Sequence, residues 1–342
     1  MTASLSSDTP ATNRQVVIAT LPRDALTATD FELRNAQVPV AGDGDVVCRT
    51  IALTIGAGQR AGLQGSASYA GAPVAGRVMG GTGIACVTAS NDPAFAIGDL
   101  VRGDTGWQDY SVQKARSLQK VDPALDPAHL LGALGTNGLT AYFGLTDIGR
   151  PKLGDTVLVS AAAGSVGHLV GQMAKVLGAR VVGVVGSDEK AAMLVDELGF
   201  DAALNRRSTD FRAALKDATP DRVDVYFDNT GGPILESALF RMNTHGRIVC
   251  CGAASQYDTS SPTGGPRGVP GLLVNNRVRM EGFLVFDYAD RYEAGRAQIA
   301  GWITGGALVP RVTGYDGLES APQAFVDLLA GDTVGTTVVR VV

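Results

Sequence analysis

Cysteine and histidine are scarce in this 342-residue chain, with four of the first and three of the second. Cys48, Cys86, Cys250 and Cys251 are scattered and mostly sit inside strand-like runs, so they read as buried thiols rather than disulfides. His129, His168 and His245 stand at no metal-ligand spacing from them, and no paired-cysteine cluster is present, so no metal site is expected. A surplus of positive charge is also missing: 29 Lys and Arg face 34 Asp and Glu, for a net charge of −5. That balance argues against a nucleic-acid partner, which normally calls for a basic face. No apolar run is long enough to span a bilayer, and the stretch Met1 to Arg14 lacks the apolar core of a signal peptide. A cytoplasmic protein with no membrane partner is therefore expected.

What is there is an ordinary globular composition, 45% hydrophobic and 18% charged. The length exceeds what one hydrophobic core usually holds, which predicts two domains. Met1 to about Thr12 reads as a frayed end. Arg14–Leu21, Gly44–Thr54, Gly76–Met79 and Ile84–Val87 then read as short strands separated by glycines, so residues 1–125 form a β-rich, barrel-like unit. From Pro127 the texture becomes helical, with His129–Leu134 and Gly138–Leu145, and strand-then-helix alternation follows. Residues 126–308 are thus expected to form a doubly wound parallel sheet. Val309–Val342 returns to strand and turn signals, and this closing segment, 309–342, is expected to complete the first unit.

The densest information lies between Leu153 and Lys190. Thr156–Ser160 is a short β-branched run, apolar on both faces, as in a strand buried in a parallel sheet. Val166, Leu169, Val170, Met173, Ala174 and Leu177 recur at helical spacing, Gly178 closes that helix, and Arg180–Val185 is the next buried strand. The connecting turn Ala161–Gly167 matches the dinucleotide fingerprint with Ala162 in place of its first glycine. Gly164 lets backbone approach a pyrophosphate, Gly167 lets helix and strand pack closely, and Ala163, Ser165 and Val166 complete the cradle at a helix N-terminus. His168, just beyond, reads as a helix-surface imidazole.

At the end of the second strand, where an NAD site places an acid about 20 residues beyond the glycines, this chain has Gly186-Ser187. Without that carboxylate a 2′-phosphate meets no repulsion, and Ser187 and Lys190 offer donors and charge, which points to NADPH. Ser187 as a helix cap and Lys190 as a solvated surface residue is the competing reading of the same residues. Further on, Phe211–Ala218 is a helix, Val223–Asp228 and Gly246–Gly252 are strands, and Glu281–Phe286 is another. Asn229 and Gly252 fall beyond the carboxyl ends of their strands, where ligands of such sheets bind. Ala253–Arg279 is too long for an ordinary connection and reads as a lid or substrate wall.

Several segments together carry a family likeness: Gly135–Tyr142, Ala161–Gly167, Val182–Lys190, Tyr226–Gly232 and Gly246–Tyr257. On them the chain resembles the zinc-free medium-chain dehydrogenase/reductase superfamily, in its branch of prostaglandin reductases and alkenal double-bond reductases. The resemblance implies a Rossmann sheet inserted into a GroES-like β domain. It also implies NADPH-dependent hydride delivery to the β-carbon of an α,β-unsaturated aldehyde or ketone, and a homodimer joined through the nucleotide domains. By its motifs Lys190 matches the 2′-phosphate lysine. Asn137, Thr140, Asn229, Cys251 and Gly252 match cofactor contacts, Phe283 and Val285 match a strand beside the nicotinamide, and Tyr257 matches a tyrosine near the substrate carbonyl.

Three departures stand out. Gly58 occupies the place of a substrate-facing tyrosine, Arg206-Arg207 stand near Asn205 where relatives carry Tyr and Lys, and Thr333-Val334-Gly335-Thr336 replaces Asn-x-Gly-Lys. The two arginines either strengthen 2′-phosphate binding or are solvated. A roomier pocket at Gly58 suits a bulky or specialised enone. An NADPH quinone reductase and a non-catalytic nucleotide-binding protein are the alternatives to an enone reductase.

Overall fold

A computed structural model describes residues 12–65, 72–261 and 265–342. Nearly all of the expected frayed end, Met1 to Thr12, lies outside the described residues. The chain begins with an antiparallel pair, β1 (Asn13–Ile18) and β2 (Phe31–Ala36). There follow β3 (Asp45–Ile55), α1 (Ala57–Leu63), β4 (Thr82–Ser90), β5 (Leu100–Asp104), β6 (Tyr110–Lys114) and β7 (Gln119–Lys120). Gly76–Met79 does not form the expected strand: only Val78 makes an isolated bridge, to Val17. With glycines on both sides, that stretch offers too little side chain to hold a ladder.

The second unit contains α2 (Pro127–Leu131), α3 (Thr136–Phe143) continued by a π-helical turn, Gly144–Gly149, then β8 (Thr156–Ser160), α4 (Gly167–Val176), β9 (Arg180–Val185) and α5 (Asp188–Asp196). It goes on through β10 (Ala202–Asn205), α6 (Phe211–Ala218), β11 (Val223–Asp228), α7 (Gly232–Leu239), β12 (Met242–Cys250), α8 (Val269–Asn276), β13 (Arg279–Gly282) and α9 (Tyr292–Thr304). The six strands are all parallel, in the order β10-β9-β8-β11-β12-β13. This is the doubly wound Rossmann arrangement. Alternation of side chains explains why its central strands β8 and β9 carry apolar residues on both faces. Val157, Val159, Val181, Val225 and Phe227 enter a core shared with α3, α4 and α9, whereas Leu158, Val182, Val184 and Tyr226 enter a second core on the opposite face.

After α9 the chain returns to the first sheet as β14 (Val312–Asp316), α10 (Ala321–Ala330) and β15 (Thr336–Arg340). That sheet runs β14-β15-β3-β4-β5-β7, with β6 also on β3. Strand β3 makes this possible, because β6 pairs with its first half and β15 with its second half along one edge while β4 follows the other. Register shifts at Val47/Cys48 and Thr50/Ala52 supply the bending that such curling needs. Helix α10 had no counterpart in the sequence reading. Its Phe325 packs within 6.3 Å of Phe31 and 5.9 Å of Trp107, ring to ring, as the plug of this domain's core.

Two further expectations need correction. The run 281–286 is strand only to Gly282, and Val285 opens a 3-10 turn (Val285–Arg291). The chain leaves the sheet because Tyr288 stacks on Phe143 at 4.7 Å and Val285 turns into the core under α3. The connection 253–279 is not all loop, since it holds α8. No helix among the described residues is long and apolar enough to cross a membrane.

His168 joins the two units. Its imidazole is not on the helix surface: it is fully buried, because the returning chain covers that face of α4. Nδ1 lies 2.7 Å from the Gly164 carbonyl, and Nε2 accepts the Arg311 amide at 3.1 Å. One turn on, Gln172 donates to the Val309 carbonyl at 3.2 Å and accepts the Val309 amide at 2.7 Å. The His168 pair of contacts needs a neutral ring protonated on Nδ1. Burial, with help from the Arg311 charge and against the Gly164 bond, pushes its pKa down to about 4. Between about 6.5 and about 4 the unfolded chain takes up a proton that the folded one refuses, so stability falls as pH falls through that window. Urea unfolding at pH 7 and pH 4.5 should show a loss of up to about 3 kcal/mol that is absent from His168→Asn.

Candidate functional site

The strand order reverses between β8 and β11, so a crevice opens beyond their carboxyl ends. A buried carboxylate organises its floor. Asp228, 2% exposed, closes β11, and its Oδ1 accepts the Tyr226 hydroxyl at 2.8 Å, the Ser160 hydroxyl at 3.1 Å, and the amides of Thr230 and Gly231 at 3.0 and 2.8 Å. Burial first, and then the Asp228 charge, raise the Tyr226 phenol well above its ordinary range, so it stays a donor. Ser160 also accepts the Asn229 amide at 2.9 Å, and the Asn229 side chain donates to the Ser160 carbonyl at 2.7 Å. The Asp228 carbonyl receives the amides of Cys251 and Gly252. One network thus aligns the ends of β8, β11 and β12 and sets Asn229, Cys251 and Gly252 on the rim.

The glycine turn lies beside this network. Ala161 adopts a positive φ of 47°, which brings its carbonyl under the start of α4. A Cβ at Gly167 would lie 2.3 Å from that carbonyl oxygen, so only glycine fits. Ala162 is fully buried, which is how alanine stands in for the first glycine of the fingerprint: its methyl points into the core, away from the cradle. At Gly164 a Cβ would approach only the Ala161 oxygen, at 3.2 Å, and at Gly186 it would meet nothing within 4 Å. Space therefore remains beside Gly186, beyond β9, where a dinucleotide's ribose would lie. The His168 and Leu169 amides of α4 donate to the Gly164 and Val166 carbonyls, so a pyrophosphate would meet the turn ahead of them and the partial positive charge of the helix N-terminus.

Lys190, at the start of α5, meets the C-terminal segment. Ser187 caps α5 by accepting the Lys190 amide at 3.3 Å. The half-buried Lys190 ammonium donates to the carbonyls of Gly331 and Thr333, each at 2.6 Å, so it is not a freely solvated group. Burial is the main cause lowering its pKa, with Arg207 adding to it. Thr333–Thr336 closes over the glycine turn: the Gly335 amide donates to the Ala163 carbonyl at 2.8 Å, and Ser165 donates to the Gly335 carbonyl at 3.1 Å. Arg206 and Arg207 are exposed beyond β10.

Asn137 and Thr140 lie on α3, and Gly144, which opens the π-helical turn after it, is covered by Phe283 and Phe227. Tyr257 ends a short 3-10 turn after β12, half-buried, and its hydroxyl accepts the Ala253 amide at 3.0 Å. Gly58 is exposed in the first turn of α1. The structure thus brings the residues of the glycine turn together with Gly186, Lys190, Asn229, Cys251 and Gly252 along one sheet edge. Sequence reasoning missed Ser160, Asp228 and Gly335 as parts of it. For Asp228 the signal was an acid closing the run Val225-Tyr226-Phe227. The thiols of Cys250 and Cys251 are pushed up to about 11 and about 12, chiefly by burial and then by Asp228, so neither is a thiolate at neutral pH. Among the described residues, no group of three or more His, Cys, Asp or Glu is placed to hold a metal ion.

Two family models match the chain. One, described as the N-terminal domain of oxidoreductase, covers residues 14–121, and the other, described as zinc-binding dehydrogenase, covers residues 165–299. The 2-alkenal reductase (NADP(+)-dependent) of Nicotiana tabacum is 40% identical, over 96% of this chain and 97% of that protein. The NADPH-dependent curcumin reductase of Escherichia coli (strain K12) is 38% identical, over 96% and 97%. The crystal structure of CurA in complex with NADPH from Vibrio vulnificus superposes with a TM-score of 0.92 at 37% identity, covering 96% of this chain and 99% of that one. With such likeness along nearly its full length, the chain is an oxidoreductase that belongs to the medium-chain dehydrogenase/reductase superfamily, in its branch of alkenal and prostaglandin double-bond reductases.

Proposed function

We propose that this protein is an NADPH-dependent, zinc-independent reductase of the carbon–carbon double bond of α,β-unsaturated aldehydes or ketones. The catalytic unit is residues 1–125 with 309–342, and the cofactor unit is residues 126–308. When bound, NADPH supplies the hydride. Ala163–Gly167 would cradle the pyrophosphate, Ser187, Lys190 and Arg206 would face the 2′-phosphate, and Asn137, Thr140, Asn229, Cys251, Gly252, Phe283 and Val285 would line the remainder. The CurA complex and the NADPH- and NADP-dependent relatives support this cofactor. Zinc independence is supported by the donor set: Cys48 and Cys86 are buried in the first sheet, with burial pushing the Cys48 thiol up to about 12, and both lie far along the chain from Cys250 and Cys251.

The observation that carries the reaction is the hydrogen bond at Tyr257. Its hydroxyl accepts the Ala253 amide, so its own proton is left for another acceptor beside Gly252, where a Cβ would stand 3.5 Å from that hydroxyl. Hydride arrival at a β-carbon turns the carbonyl oxygen into an enolate, which an oriented donor in a water-poor crevice stabilises. Tyr257 would fill that role. Exposed Gly58, where the family carries a tyrosine, adds no aromatic side chain, which suits a bulky enone. The homodimer implied by the resemblance and a cytoplasmic location are parts of the same proposal.

The decisive experiment follows NADPH absorbance with enals, cyclic enones and quinones, with mass spectrometry of the product. A saturated carbonyl product is expected; turnover of quinones alone would replace this reading by a quinone reductase, and tight binding without turnover by a non-catalytic nucleotide binder. Tyr257→Phe should lower kcat by about 10- to 100-fold with little change in KM for the enone. Lys190→Ala should raise the KM for NADPH by about tenfold or more while leaving that for NADH nearly unchanged, since a charge-assisted phosphate contact is lost.

A further inference from the structure

Tyr257 stands between two anchors on different units. On the N-terminal side, the Ala254 amide donates to the Asn229 carbonyl and the Ser255 amide to the Thr230 carbonyl, each at 3.1 Å, and the Ser255 hydroxyl adds a bond of 2.6 Å to the Thr230 carbonyl. These hold the strap to the nucleotide unit. On the C-terminal side the strap crosses to the first unit. Asp258 Oδ1 accepts Arg60 Nε and the Leu26 amide, both at 2.8 Å. Gln64 donates to the Thr259 carbonyl at 3.3 Å, and the Ser260 hydroxyl donates to Asp24.

Arg60 makes the second anchor obligatory. It lies in α1 with a side chain 0% exposed, and the carboxylate of Asp258 is its ion-pair partner. Its Nη2 donates to the Asp24 carbonyl at 2.7 Å and reaches the Pro22 carbonyl at 3.5 Å, while Nη1 is buried with no partner among the described residues. A guanidinium so enclosed has no route to water, so removing Asp258 would strand an uncompensated charge. Ala254, Ser255 and Gln256, the three residues leading to the tyrosine, are exposed.

We propose that Arg60, acting through Asp258, is a positioning residue: the ion pair spans the two units and fixes the Tyr257 hydroxyl over the reacting carbonyl. This rests on the reading of Tyr257 as the enolate donor. Arg60 touches no substrate; its effect is the placement of one hydroxyl, and misplacement by about 1 Å costs on the order of 100-fold in rate.

The test is a double-mutant cycle on the full chain with NADPH and an enone. Asp258→Asn keeps the size of the side chain, removes its charge, and avoids emptying the buried Arg60 site. It should lower kcat by about 10- to 100-fold with the KM for NADPH unchanged, and Asp258→Glu should recover part of the loss. In a Tyr257→Phe background the same change should have no further effect on kcat. An equal fold-loss in both backgrounds would overturn the proposal, because the pair would then act without the tyrosine. Amide hydrogen exchange provides a readout independent of turnover. Asp258→Asn should release protection in residues 20–26 and 253–261 while β8 to β12 stay protected, and unchanged protection there would also overturn it. A wild-type protein inactive on every acceptor would fail the reading of function, and exchange alone would then decide for or against the tie.

Discussion

One buried carboxylate carries much of this architecture. Asp228 is enclosed at the carboxyl end of β11, and such a group is tolerated only when its lone pairs are satisfied. Its donors come from two strands and a turn: Ser160 from β8, Tyr226 from β11 itself, and the amides of Thr230 and Gly231. Meeting that need fixes the relative height of the strand ends at the point where the sheet's order reverses. The crevice for a dinucleotide is a consequence of this alignment, since Asn229 hangs from Ser160 and the Cys251-Gly252 turn from the Asp228 main-chain carbonyl.

A second constraint is that the glycine turn belongs to both units. Its carbonyl at Ala163 and its hydroxyl at Ser165 bind Gly335, and its carbonyl at Gly164 binds His168, which in turn receives the Arg311 amide. Gly335 has a φ of 67°, and a Cβ there would fall 1.9 Å from the Arg311 oxygen, so the returning chain can pass this close only as glycine. Lys190 reaches the same segment from α5. A few hydrogen bonds thus tie the glycine turn and α5 to the returning chain. The Arg60–Asp258 pair makes the matching connection at the far end of the crevice.

The parts of the fold that were legible share one property, a local pattern strong enough to survive any tertiary context. The runs Thr156–Ser160, Arg180–Val185 and Val223–Asp228 are strands with those bounds because β-branched residues on both faces suit only a covered parallel sheet. Where packing outweighed pattern, the reading failed. Helix α10, with Pro322 in its first turn, lies inside a segment full of strand residues, and it forms because Phe325 and its neighbours close the first domain's core. Val285 continued an apolar run, yet it left the sheet to meet α3, and α8 lay unnoticed in a segment rich in Gly and Pro. His168 looked like a surface residue because the chain that buries it arrives 143 residues later.

By itself, the sequence determined the Rossmann unit, the glycine turn, the lack of an acid after β9 and the chemical character of the candidate residues, because each is encoded within a few tens of neighbouring positions. Only the tertiary structure decided how Lys190 is held, that Asp228 and Ser160 form the floor, and that Arg60 meets Asp258. These contacts join residues 68 to 198 positions apart. A buried polar group needs its partner by charge and geometry rather than by any local spacing, so no period or motif in the chain announces it.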